Sequence, residues 1–203
     1  PLKNKRLIRD FKMEKKMSTE FTLHDLDSAP EGSKPLLEKF TKNFGRIIGF
    51  YGMLAESPEA LRGYKALSDA FDNTTLSDEE KTVVWQTINV EHECHYCVPA
   101  HTFMAKAMNV SDELNGGLRD ETPLPDARLE ALRDFTLILV RNRGHASDAE
   151  IEAFLDAGYT RRNILEVVLG ISEKVLSNYV NHLTKTPVDK EWDQFAWSRA
   201  TRS

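Results

Sequence analysis

Apolar residues recur along this chain every three to four positions, the period of helices with one face turned inward. Leu36, Leu37, Phe40, Phe44, Ile47 and Ile48 form the first such set. Ser33 stands where a cap belongs, and Pro35 falls in the first turn, where a missing N–H costs little. The spacing predicts a helix through Ile48. Ser57-Pro58-Glu59 opens a second helix, to about Phe71. Ser77-Asp78-Glu79-Glu80 has the form of a capping box and is followed by Val83, Val84 and Ile88. A fourth helix carries the cysteine motif to Met108, and a short helical turn precedes Asn115-Gly116-Gly117. Pro125 opens a leucine-rich fifth helix that ends near Gly144. Ser147-Asp148-Ala149-Glu150 is another capping box, with Gly158 as the stop. Thr160 begins a last long helix through Leu183, ended before Pro187. Strand-like alternation and Asn-Gly hairpin signals are missing. The predicted fold is all-α, a single-domain helical bundle.

The chain has 203 residues, 40% of them hydrophobic and 29% charged, enough for a real core without disulfides. Its net charge of −5 argues against nucleic-acid binding through bulk charge. No apolar run approaches the ~20 residues of a membrane-spanning helix; the longest is roughly Phe135–Val140. Residues 1–16 are basic and lack the continuous apolar region of a secretory signal. They are expected to be a leader or disordered extension, with Met13 or Met17 as the natural start and the domain over 17–203. A cytoplasmic protein is expected.

Chemistry concentrates at the only two cysteines, Cys94 and Cys97 in Cys-His-Tyr-Cys. A pair so close closes almost no loop, so chain entropy is not its purpose. Pro99 belongs in a first helical turn, which places the cap near Cys94 or His95 and both sulfurs at the positive helix end. That position favours thiolate over thiol. His101 lies one turn after Cys97 and can reach its sulfur, as base or as imidazolium partner. The combination describes a redox dithiol in which one thiolate attacks and the other resolves. Two other readings stand beside it. The cysteines can be small buried hydrophobes with His101 as a core histidine. Alternatively Cys94, Cys97 and His101, with His92 or His95, can supply four zinc ligands, although the spacing is short for a tetrahedral site.

Leu76-Ser77-Asp78-Glu79-Glu80 and Cys94-His95-Tyr96-Cys97-Val98-Pro99-Ala100-His101 resemble the alkylhydroperoxidase D-like (AhpD-like) / carboxymuconolactone decarboxylase family. Ser57-Pro58-Glu59-Ala60-Leu61-Arg62, Ser177 to Leu183 and Thr186-Pro187 are similar to its peroxidase-related branch, so the resemblance covers most of residues 35–190. It implies an all-helical fold that assembles as trimers or hexamers. It implies thiol-dependent peroxidase or disulfide-reductase chemistry without a cofactor, acting on a hydroperoxide or a partner's disulfide and restored by a dithiol or thioredoxin-like donor. In that scheme Cys97 attacks, Cys94 resolves and His101 belongs to the proton relay.

The chain departs from the family at two places. A relay glutamate twelve residues before the first cysteine is replaced by Thr82, with Glu80 on roughly the opposite helix face, and Tyr96 rather than a histidine precedes Cys97. Glu91, His92, Glu93 and His95 are the candidates to supply proton transfer, and Glu91 or Glu93 is expected to tune Cys94. Two further functions follow. The family's other activity is lactone decarboxylation, which needs no dithiol. A non-catalytic redox-sensing or metal-binding oligomer is the third reading. His182 with Asn178 and Asn181 shares a helical face expected to make packing contacts, His145 and His24 carry no signal, and Trp192, Phe195 and Trp197 are expected to dock on the domain or a neighbouring subunit.

Overall fold

The computed structural model describes residues 19–199; the expected leader over 1–16 lies outside them. Among the described residues there is no strand. The helices are α1 (Lys34–Phe44), α2 (Gly49–Leu54), α3 (Pro58–Asp72), α4 (Asp78–Glu91), α5 (Cys97–Ala107), α6 (Asp112–Asp120), α7 (Ala127–Arg141), α8 (Asp148–Asp156) and α9 (Arg161–Thr184), followed by a 3₁₀ segment, Lys190–Phe195. No helix among the described residues is long and apolar enough to cross a membrane.

Local signals explain most boundaries. Ser77 and Glu80 exchange the two bonds of a capping box at α4, as do Ser147 and Glu150 at α8. Thr160 accepts from the Asn163 N–H to start α9, and Ser57 accepts from Ala60 to start α3. Three expectations change. The helix predicted through Ile48 stops at Gly45, whose φ of +76° no residue with a side chain adopts cheaply, and the chain restarts as α2. Ser33 does not cap α1; its hydroxyl donates to the buried Ala55 carbonyl at 2.7 Å. The short turn before Gly116-Gly117 is a full helix, α6, because Ser111 caps it.

α4 lies centrally, against α5, α6, α7 and α9, while α3 crosses α9. There is no room for a side chain at Gly170: a Cβ there would stand 2.6 Å from the Phe71 ring and 2.8 Å from Val84. Two apolar clusters result. The distal one joins Val84, Ile88, Leu114, Leu132, Phe135, Phe154 and Val167. Its rings stack, Phe154 lying 4.2 Å from Phe135 and 4.5 Å from Tyr159 between centroids. The second joins Leu37, Phe40, Phe50, Leu61, Tyr64, Cys94, Tyr96, Cys97 and Trp192. Trp192 is buried edge-on against Tyr96, and Trp197 donates to the Arg119 carbonyl, so the C-terminal aromatic segment docks on its own domain.

α9 has an unusual face. Its buried positions keep the helical period but are Asn163, Glu166, Glu173, Lys174, Ser177, Asn178 and Asn181, with Val167 and Gly170 among them. Leu165, Val168, Tyr179 and Leu183 are exposed instead. That inversion puts polar chemistry inside the bundle.

Candidate active site

The chain after α4 turns through Glu93, whose φ is +53°, and enters α5 at Cys97, with Tyr96 in the cap position. Helix entry is therefore one residue later than the nearer position expected. Cys97 is the first helical residue, and its N–H donates to Cys94 Sγ at 3.2 Å. Both sulfurs are buried free thiols. Tyr96 fixes this turn from behind. Its hydroxyl donates to Asp189 Oδ2 at 2.5 Å and accepts from the Phe50 N–H at 3.0 Å, while Asp189 also accepts from the Gly49 N–H and from Arg46. The position where the family places a histidine thus anchors the cysteine turn to α2 and the C-terminal segment.

A ladder of buried amides holds the other side. Gln86 on α4 donates to the Val98 carbonyl, Asn89 donates to Gln86, and Asn178 on α9 donates to Asn89 at 2.9 Å. Every step pairs a buried donor with an acceptor, as burial demands. The ladder delivers α9 to the thiols, and Asn181 donates Nδ2–H to Cys97 Sγ at 3.3 Å.

The two thiols differ in consequence. Burial works against ionising Cys97, but the bond from Cys94, the Lys174 charge and the amides of Asn178 and Asn181 outweigh it and bring its pKa down to about 6. Burial pushes the Cys94 thiol up, and the neighbouring Cys97 adds to this. The lowering expected at both sulfurs holds for Cys97 and reverses at Cys94.

His101 does not pair with Cys97. Its Nε2 lies 2.8 Å from Lys174 Nζ, and its Nδ1 is buried without a partner. Burial and the Lys174 charge hold the ring well below the usual histidine range, which removes the imidazolium role. Beside Lys174 on α9 is Glu173, which accepts from Trp85 Nε1 at 3.0 Å and from the Tyr64 hydroxyl at 3.4 Å. Burial pushes its carboxyl up against the opposing pull of Lys174. These groups surround a cavity of about 220 Å³ walled by Phe50, Tyr51, Tyr64, Trp85, Phe103 and Trp192, with Cys97, His101, Glu173, Lys174 and Asn181 in its lining.

The candidates named from sequence are drawn elsewhere. Glu91 pairs with Arg141 at 2.7 Å and Arg199 at 3.6 Å, and these partners hold its carboxyl down. Glu93 is exposed and pairs with Arg199 at 3.1 Å. The tuning expected of them at Cys94 falls instead to burial and the second thiol. His92 Nδ1 bonds Asn178 Oδ1 at 2.9 Å, and His95 Nε2 bonds the Thr186 carbonyl at 3.1 Å. With His92, His95 and His101 each held by a different partner, the zinc set is not assembled. No group of three or more His, Cys, Asp or Glu among the described residues could hold a metal ion. Thr82 is buried with its hydroxyl on the Asp78 carbonyl, and Glu80 serves its capping box and Arg128. The carboxylate in the cavity comes from α9, about ninety residues downstream of where a local motif places it. Lys174 and Glu173 are the residues that sequence reasoning missed; along the chain they read as a charged pair on a long helix, and only the structure shows that face buried. Asn178 and Asn181, expected to make packing contacts, take part in the thiol environment, while His182 is exposed. His24 pairs with Glu56 at 2.7 Å, and His145 is exposed.

No protein-family model and no curated protein sequence matches the chain. Solved structures do. An AhpD core, an uncharacterised peroxidase-related protein from Ralstonia eutropha JMP134, superimposes with a TM-score of 0.76 at 18% identity, covering 85% of this chain and 93% of that one. A peroxidase-related protein from Silicibacter sp. TM1040 gives 0.71 at 21% identity, covering 84% and 93%. The debrominase Bmp8, as a cysteine-to-alanine variant in complex with 2,3,4-tribromopyrrole, gives 0.71 at 15% identity, covering 88% and 96%. The fold is therefore AhpD-like, all-helical and shared with the peroxidase-related proteins, as the sequence resemblance implied.

Proposed function

We propose that this protein is a thiol-dependent oxidoreductase that reduces organic hydroperoxides, or a partner's disulfide, through Cys97 and Cys94. The observation that carries the reading is the asymmetry of the two thiols in a ring-walled cavity. Cys97 is favoured as thiolate by an amide N–H at 3.3 Å and a buried lysine, while Cys94 stays protonated beside it. A nucleophile needs the first condition, and a resolving thiol tolerates the second. Cys97 attacks the distal peroxide oxygen, Cys94 displaces water from the resulting sulfenic acid, and a dithiol or thioredoxin-like donor reopens the disulfide.

Purified protein with cumene hydroperoxide and a dithiol donor is expected to turn over, and Cys97→Ser to abolish turnover. Equal slow consumption by wild type and variant overturns the reading. A lactone decarboxylase keeps its activity when both cysteines become alanine, and a redox sensor oxidises stoichiometrically without turnover. A second reading draws on the aromatic walls. Rings wall the cavity, and the polarised halogen of a haloarene, the ligand class in the debrominase neighbour's complex, is a soft electrophile for a thiolate. Halide release from a bromopyrrole tests it directly.

The reading extends to a cytoplasmic homo-oligomer, a trimer or hexamer. Leu165 and Leu183 on α9 are each 71% exposed, with Val168 and Tyr179 also exposed between them. Sedimentation of wild type against Leu165→Glu/Leu183→Glu tests the assembly.

A further inference from the structure

Lysine almost never lies fully buried without a partner that needs its charge. Lys174 is 1% exposed, and its Nζ meets a histidine nitrogen, His101 Nε2, at 2.8 Å. An ammonium group has donors only, so Nε2 accepts and the ring proton sits on Nδ1. That Nδ1–H is buried, has no partner, and belongs to a residue lining the cavity beside Cys97. A buried donor left unpaired costs stability unless something that binds there accepts from it.

We propose that Lys174 and His101 are the proton-delivery line of this site: Lys174 holds the Cys97 sulfur as thiolate by its charge and, through His101, protonates the oxygen that leaves when that thiolate attacks a hydroperoxide. The second half rests on the hydroperoxide reading above; the first half does not. An S–O bond forms as the O–O bond breaks, and the electron pair leaves with the alkoxide. The alkoxide takes the Nδ1 proton of His101, whose Nε2 takes one from Lys174. Sulfur is oxidised to sulfenic acid and the peroxide is reduced to an alcohol. The Cys94 thiol then closes the disulfide with loss of water. When the dithiol donor reopens it, the proton released as Cys97 ionises enters at Nδ1 of His101 and the Nε2 proton passes back to Lys174, which restores both groups.

Titratable groups face this thiol from several of the elements packed against it, so the titration is read at Cys97 itself. Tyr51 faces the cavity from α2, Tyr64 and Asp72 from α3, Tyr96 from the turn, His101 from α5 and Glu173 from α9, while α4 contributes the non-titrating Trp85 and Cys94 lies behind Cys97. Burial pushes Tyr51, Tyr64, Tyr96 and Cys94 up and His101 down, away from the neutral range. Burial raises the Asp72 and Glu173 carboxyls from their ordinary acidic values.

The test is the pH dependence of iodoacetamide alkylation at Cys97, read by mass spectrometry, together with single-turnover reaction of cumene hydroperoxide. Lys174→Met is expected to move the alkylation midpoint up by at least about one pH unit, a tenfold change in thiolate stability. Lys174→Arg keeps the charge and restores the midpoint. It does not restore the peroxide rate, because a guanidinium does not release its proton. A midpoint unmoved in Lys174→Met overturns the charge assignment, and a peroxide rate fully restored in Lys174→Arg overturns the proton delivery. Where Lys174→Met fails to fold, Glu173→Gln/Lys174→Met removes both buried charges and the same midpoint shift is read. Wild type that alkylates readily but never reacts with hydroperoxide overturns the proposed function, with the effect of the Lys174 charge on Cys97 still read by the midpoint.

Discussion

The two cores of this bundle are built on opposite terms. The distal core is apolar throughout, with stacked Phe135, Phe154 and Tyr159 over Leu132, Ile88 and Val167. The core around the thiols contains as many rings but surrounds them with Glu173, Lys174, Asn178 and Asn181 from α9. The first lowers free energy by removing apolar surface from water, at about 25 cal/mol per Å². The second holds desolvated polar groups that are tolerable only when each finds a partner. One helix serves both: Val167 and Gly170 of α9 pack into the distal core, with buried Asn163 and Glu166 before them and Glu173 and Lys174 after them on the same face. Apolar packing and buried polar groups are thereby placed in adjacent parts of one fold.

The largest effect expected from breaking this contrast is at Phe154. Phe154→Ala opens a cavity between two stacked rings and is expected to cost about 3–5 kcal/mol in denaturant unfolding. The alkylation midpoint of Cys97 is expected to stay where it is; a shift of half a pH unit would show that the distal core also sets the thiol. Tyr96→Phe comes next. It removes the acceptor of the buried Phe50 N–H and the donor to Asp189, so a loss of about 1–3 kcal/mol is expected with the cysteine turn loosened. Unchanged stability with unchanged protection of the Phe50 amide against hydrogen exchange refutes that anchoring role.

A third effect is on pH dependence. Cys97 ionises at about 6 in the folded protein, so between there and the ordinary thiol range the unfolded chain binds the extra proton. Stability is expected to rise with pH across that window and to lack this contribution below it, where both states hold the proton. Cys97→Ser removes the rise, while the opposite contribution of the raised Glu173 carboxyl remains. Parallel pH profiles for wild type and Cys97→Ser would place the thiol's proton equally in both states and break the asymmetry.

Helix starts were legible wherever a cap is local. Ser77–Glu80, Ser147–Glu150 and Thr160 satisfy their own first-turn N–H groups within four residues, so no distant contact enters. Ser33 misled because a buried carbonyl from across the fold, that of Ala55, offered its hydroxyl a better partner. At the site, the helix-start placement of the cysteines followed from Pro99 alone. The partner of His101 did not, since spacing along α5 offered Cys97 and the structure offered Lys174 from α9.

The sequence by itself determined the elements, the all-α class, the cysteine pair and its position at the start of a helix, because these depend on contacts a few residues apart. Tertiary structure alone decided which polar residues went inside. Glu173-Lys174 in Ser-Glu-Lys-Val-Leu has the look of a solvated pair on a long helix, and Glu91, His92 and Glu93 stand next to a thiol in the chain. Packing reversed the two: Glu91 and Glu93 went to arginines, and Lys174 went inside against His101. A charge is buried or exposed according to what surrounds it in three dimensions, and no interval along the chain encodes that.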